Sequence, residues 1–195
     1  MQKTIIFLII LLLFSGCKRR EGYAEPERDY ITFTQEAKQF AQYNRLSNEF
    51  YILVDMSVHS GKKRMFVINF ADGSIRDSFL TTHGMGCGSS DGDVRFSNTQ
   101  ESHCSSKGKY ILGTQKVYSP GYRYKYIMYG KEASNSNAVV RNVVFHPWSI
   151  VPDEETYPNG IAQSWGCPAV SEKAFNTMDG YLQNTNGRVL LWIID

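Results

Sequence analysis

Ser164-Trp165-Gly166-Cys167-Pro168-Ala169-Val170 is the stretch on which the reading of this chain turns. It sets a thiol directly after a glycine, where the backbone can come close to a bound carbonyl. Upstream, Phe145-His146 ends an apolar run with an imidazole that can take the proton of that thiol. Free cysteine is mostly protonated at neutral pH, and a neighbouring imidazole is one way to make it a nucleophile. The pair suggests acyl transfer through a thioester. Cys167 and His146 lie 167 − 146 = 21 positions apart, so the intervening loop must fold them together.

Around this pair the chain reads as mostly strands, with a helix near each end. Strand-like segments cover 50–56, 65–70, 75–82, 109–117, 122–129, 139–146 and 189–194, several of them separated by glycine-containing turns. Thr32 and Gln35 have the spacing of a capping box, and Phe33, Ala37, Phe40 and Ala41 then recur at helical period to about Leu46. Ser171 can cap a second helix that carries Phe175, Met178 and Leu182 on one side. Two long connections stand out: a polar, Ser- and Gly-rich stretch over 84–108, and 147–163 between the histidine and the cysteine. Loops of that length in a compact domain usually carry function or are disordered.

The beginning of the chain points to where this chemistry takes place. Lys3 precedes an apolar run over 5–14, which is signal-peptide length and short of the roughly twenty residues that span a bilayer. The run ends at Phe14-Ser15-Gly16-Cys17, which resembles a bacterial lipoprotein processing site. This divides the chain into a signal peptide over 1–16, a charged tether over 17–30 with lipid on Cys17, and one domain over 31–195. The expected location is the cell envelope, on a membrane-anchored lipoprotein facing the periplasm. Hydrophobic content of 42% and aromatic content of 13% mark a globular protein. A net charge of +2, with no basic cluster beyond Lys18-Arg19-Arg20, argues against nucleic acid as a partner. That trio lies beside the anchor and fits lipid headgroups better.

The residues from about Phe50 to Asp195 resemble the L,D-transpeptidase (YkuD-type) catalytic domain of bacterial cell-wall enzymes. The likeness is greatest to a branch with Ser-Trp-Gly-Cys-Pro-Ala-Val around the nucleophile. It rests on that motif and on four further stations in order: His83-Gly84-Met85-Gly86, Phe96-Ser97-Asn98, Ser105-Ser106-Lys107-Gly108-Lys109-Tyr110, and Asn137-Ala138 leading to Val143-Val144-Phe145-His146. The resemblance implies an α+β, mostly β fold of the L,D-transpeptidase sandwich type, with the cysteine beside a groove for peptidoglycan stem peptides. It implies attack after the diamino acid of a tetrapeptide stem, release of terminal D-alanine, and transfer of the acyl group to an amine. No cofactor is implied, and carbapenem-type inhibitors would acylate the same cysteine.

On this reading Cys167 is the nucleophile and His146 its base. Backbone N–H groups by Gly166 and Cys167 would form an oxyanion hole, and Ser164 would support the loop or orient the imidazole. His83, Trp165, Asn137 and Arg141 would bind substrate. The common family motif has histidine at Trp165, arginine at Ala169, and often glycine at Pro147. The missing arginine leaves the substrate carboxylate without an assigned partner. Arg141 is the obvious replacement, but strand parity places it opposite to His146 unless a bulge intervenes.

Cys87 and Cys104 have three readings: a disulfide pinning the polar loop, two free thiols, or a zinc site with His83 and His103. Three other functions also fit the sequence. Water could replace the amine, giving an L,D-carboxypeptidase. A non-catalytic lipoprotein could grip peptidoglycan through the same groove, or a metal-dependent hydrolase could use the His83/Cys87/His103/Cys104 set.

Overall fold

A computed structural model describes residues 28–121 and 123–195. The expected signal peptide, Cys17 and nearly all of the tether lie outside the described residues, as does Tyr122.

Among the described residues nine strands and two helices follow one another as α1 (Tyr30–Tyr43), β1 (Phe50–Asp55), β2 (Met65–Asn69), β3 (Ile75–Phe79), β4 (Gly108–Leu112), β5 (Val117–Ser119), β6 (Arg123–Gly130), β7 (Val144–Pro147), β8 (Ala169–Val170), α2 (Glu172–Asn184) and β9 (Leu190–Ile194). The strands form one mixed, hydrogen-bonded path in the order β3-β2-β1-β9-β4-β6-β7-β8, with β5 on β6. The expected α+β, mostly β fold is present, and its strands belong to a single connected path.

Central strands are apolar on both faces, as burial on both sides requires. In β1, Phe50, Ile52 and Val54 enter a core shared with β2, β4, β6, β7 and α2. Tyr51 and Leu53 alternate to the opposite face, where α1 covers them together with Leu190, Trp192 and Ile194 of β9. Trp192 also carries the Phe33 ring edge-on at 5.4 Å and the Lys109 ammonium 4.1 Å from its centroid. One sheet thus separates two cores, each closed by one helix.

Helix α1 begins three residues before the position expected from the capping-box pattern. Asp29 is the cap: its Oδ1 accepts from the Ile31 N–H at 2.9 Å, and its Oδ2 accepts from the Thr32 hydroxyl at 3.2 Å. A carboxylate is a strong cap acceptor and its charge suits the helix N-terminus, so it displaces the threonine from that role. Helix α2 starts as expected, with the Ser171 hydroxyl accepting from Ala174 N–H at 3.0 Å.

The expected strand over 139–146 is shorter than its pattern suggests. Residues 132–143 form successive turns, with Ala138 N–H donating to Asn135 O, Arg141 N–H to Asn137 O and Val143 N–H to Ala138 O. Asn142 has φ 52°, a left-handed conformation that asparagine tolerates. The strand proper begins at Val144, so Asn142 does not share the strand face of Val144 and His146.

Cys87 and Cys104 form a disulfide, with Cα atoms 5.9 Å apart. The bond occupies two of the four donors of the zinc reading, so that set does not assemble. Closing a loop of this size stabilises by about 3 kcal/mol in the chain-entropy model. Reduction is therefore expected to lower the melting temperature by roughly 6–12 °C, checked by thermal denaturation with and without dithiothreitol. Mass analysis without reductant should find the two cysteines joined.

Candidate active site

β6 and β7 run antiparallel, with Tyr126 opposite Phe145 and Ile127 opposite Val144. Tyr126 and Phe145 are buried in the core, so side chains one position along each strand emerge on the outer face. This turns Val144 and His146 together to the face opposite that core, where both remain buried. β8 then pairs in parallel with β7, placing Ala169 beside His146 and Val170 beside Pro147. The loop containing Cys167 therefore arrives next to the histidine. Val144 N–H donates to Cys167 Sγ at 3.4 Å, and Sγ lies 3.7 Å from Asn142 O. His146, Cys167, Trp148, Gln163, Ser164 and Trp165 line one pocket of about 320 Å³.

His146 Nδ1 lies 2.9 Å from Pro147 O. A carbonyl only accepts, so the proton sits on Nδ1 and Nε2 is the basic nitrogen. Burial pushes the His146 pKa down, the bond to Pro147 O raises it, and the Lys125 charge lowers it further. Burial pushes the Cys167 thiol up, against the Val144 N–H bond and the charges of Lys125 and Arg141. Both directions favour a resting neutral imidazole beside a thiol, with proton transfer accompanying attack.

The loop bearing the cysteine is fixed from both sides. Ser164 N–H donates to His83 O at 2.8 Å, and Met85 N–H to Ser164 O at 2.9 Å. The Ser164 hydroxyl donates to Cys167 O at 2.7 Å and accepts from Gly166 N–H at 3.1 Å. Of the two roles considered for Ser164, these bonds fit support of the loop. Gly166 has φ 111°, and a Cβ there would lie 2.6 Å from Cys104 O. Only glycine fits without displacement. Because Gly166 N–H is taken by Ser164, the Cys167 N–H is the oxyanion donor to consider: among the described residues it has no acceptor. On the far side, Thr82 Oγ1 donates to Cys167 O at 2.9 Å and accepts from Ala169 N–H at 3.0 Å.

Several residues expected to touch substrate have other work. Trp165 does line the pocket; it is 70% exposed and stacks on His103, with centroids 4.9 Å apart. His83 is fully buried, and only its carbonyl contributes to the site, through Ser164. Asn137 lies outside the pocket and donates through Nδ2 to Asn98 O at 2.9 Å, tying two loops together. Arg141 does come near the cysteine, because the turn ending at Asn142 cancels strand parity. Its guanidinium is already occupied: Nη1 donates to Ser97 O and to the Ser106 hydroxyl, and Nη2 donates to Ser102 Oγ and Cys104 O. It secures the disulfide-bearing loop and has little left for a substrate carboxylate.

Beneath the loop sits a residue that the sequence did not single out. Arg64 is fully buried, donating to Thr81 O through Nε and Nη2 and to Val58 O through Nη1. Its Nη2 also lies 2.8 Å from His83 Nδ1, which must accept, so that ring is neutral with its proton on Nε2. His59 is half-buried there, its Nδ1 accepting from Gly61 N–H at 3.1 Å.

Burial, followed by the Arg64 charge, lowers the His83 pKa from 6.5 to about 4. Between those values the unfolded chain binds a proton that the folded one refuses, so stability falls as pH falls from 6.5 toward 4. The loss at the acidic end is on the order of 2–3 kcal/mol, and chemical denaturation across that range, with His83→Gln flattening the dependence, checks it.

A histidine on β7 and a cysteine in the loop that enters β8, lining one pocket of a mixed sheet, define a thiol–imidazole site. The chain belongs to the L,D-transpeptidase catalytic-domain family, whose model matches residues 24–192. It is accordingly of the peptidoglycan-related L,D-transpeptidase type. Among solved structures it is similar to an L,D-transpeptidase (residues 123–326) from Xylanimonas cellulosilytica DSM 15894: 16% identity, TM-score 0.43, 79% of this chain and 68% of that one. The Ldtfm–avibactam carbamoyl enzyme matches at 11% identity and TM-score 0.44, over 75% of this chain and 49% of that one. The helical cell shape determining protein Pgp2 from Campylobacter jejuni matches at 14% identity and TM-score 0.45, over 86% and 55%. No curated protein sequence matches the chain.

Proposed function

We propose that this protein is a peptidoglycan L,D-transpeptidase working through a Cys167 thioester. The observation that carries the reading is the β7–β8 pairing, which brings His146 and the Cys167 loop side by side at one pocket. Cys167 Sγ attacks the carbonyl carbon of the diamino acid, at its bond to the terminal D-alanine of a tetrapeptide stem, and its proton passes to His146 Nε2. The C–N bond breaks, the imidazolium returns the proton to the amine, and D-alanine leaves. An acceptor amine then attacks the thioester, gives a proton to His146 and expels the sulfur. Charge on the tetrahedral oxygen falls to the Cys167 N–H; losing such a donor costs about 2.7–4 kcal/mol in comparable sites.

The N-terminal pattern ending at Phe14-Ser15-Gly16-Cys17 supports a lipid-anchored protein facing the periplasm. Incubation of purified protein with tetrapeptide muropeptides tests the activity: cross-linked dimers are expected. Tripeptides alone would make it an L,D-carboxypeptidase, and unchanged substrate a peptidoglycan-binding protein.

A further inference from the structure

The family's usual arginine position is Ala169 here, and Arg141 is occupied by backbone and hydroxyl acceptors. Another cation stands by the dyad. The β6–β7 register that pairs Tyr126 with Phe145 continues to Lys125 opposite His146, and directly opposed residues share a face. Lys125, half-buried, therefore lies on the same face of the sheet as the buried imidazole. Its Nζ donates to Asn142 Oδ1 at 3.2 Å, and the same asparagine's carbonyl lies 3.7 Å from Cys167 Sγ. One residue thus links the ammonium to the sulfur. Among the described residues no carboxylate pairs with Lys125, whereas Lys107, Lys109 and Lys116 each have an acidic partner.

Resting on the proposed function, we infer that Lys125 binds the substrate carboxylate next to the carbonyl that Cys167 attacks, making the site selective for carboxylate-terminated peptides. In the free protein Asn142 holds the ammonium through its side chain while its carbonyl meets the sulfur, and an amide oxygen is a weak enough partner to be exchanged for a carboxylate. The same charge acts on both members of the dyad, lowering the pKa of His146 and of Cys167, which agrees with its closeness to each.

Alkylation of the full-length protein tests this without relying on peptidoglycan chemistry. Iodoacetate and iodoacetamide both transfer a carbon to Sγ and lose iodide, and they differ in carrying a carboxylate or a neutral amide. The iodoacetate-to-iodoacetamide rate ratio at Cys167 is expected to fall roughly tenfold or more in Lys125→Met and to stay near the parent value in Lys125→Arg. Equal slowing by both reagents would mean that Lys125 acts only on thiol ionisation, and an unchanged ratio would mean that it does not sense the carboxylate. Either result overturns the inference. Loss of the ratio in a protein that leaves muropeptides untouched would reject the proposed reaction while retaining the carboxylate site. With active protein, Lys125→Met should raise KM for a free-acid stem and leave the C-terminally amidated stem unaffected.

Discussion

Cys167→Ala is expected to yield a folded protein that forms no covalent adduct with a carbapenem and no product from tetrapeptide stems. Cys167 is 7% exposed, and among the described residues its sulfur has two long polar contacts, with Val144 N and Asn142 O. Its removal takes away little packing, and the melting temperature should move by no more than a few degrees. The backbone bonds that hold the loop run through Ser164, Thr82 and Ala169, and the substitution leaves them intact. His146→Gln keeps the ring's approximate volume but supplies no comparable base, so acylation should slow by about 10²–10⁴-fold. Intact-mass analysis after incubation reads both variants. A carbapenem adduct that persists on the alanine variant would remove Cys167 from the mechanism.

Arg64→Leu carries the largest expected effect on stability. The substitution leaves Thr81 O and Val58 O, both bound by the guanidinium, without that donor in a fully buried site. Each orphaned carbonyl costs about 1–3 kcal/mol, so the pair costs roughly 2–6 kcal/mol. Domains have only about 5–15 kcal/mol in total, so this is a large share. Calorimetry should show a melting temperature lower by at least several degrees, checked against Arg64→Lys, whose single ammonium cannot reproduce the planar fork. Acylation should fall as well. Thr81 Oγ1 donates to Ala169 O at 3.1 Å, and Thr82 holds both Cys167 and Ala169, so movement of this segment reaches the nucleophile. A melting temperature within a degree of the parent would show that the buried guanidinium is not what secures this layer.

The contrast between Cys167 and Arg64 shows what the sequence could and could not reveal. Gly166-Cys167 and His146 stood out because the proposed chemistry needs particular side chains in a particular local setting. Helix α2 was legible because its cap and apolar stripe act over a few residues. Arg64 was hidden in Lys62-Lys63-Arg64, which has the pattern of a solvated turn; only tertiary folding brings Thr81, Val58 and His83 around it. Lys125 looked like one more polar position on an alternating strand, and its meaning comes from the β6–β7 register. Arg141 and Asn137 were placed at the substrate by the family resemblance, with strand parity over 139–146 already against Arg141. The turns over 132–143 redirect both side chains onto neighbouring loops. The family's histidine-glycine station likewise drew His83 toward substrate, whereas burial against Arg64 turns its ring inward.

The two-rung ladder between β7 and β8 has a consequence for how this enzyme type can diversify. It holds His146 and the Cys167 loop, the proposed base and nucleophile, from outside the excursion over 148–163, so that stretch is not needed as a spacer between them. Its path is instead tacked to the body by Thr156 N–H on Gly61 O, Lys63 N–H on Glu155 Oε1 and the Ser171–Asp153 contact. The segment can therefore be lengthened, shortened or exchanged between those tacks while the reacting atoms keep their places, which makes it the natural ground for grafting new acceptor preferences.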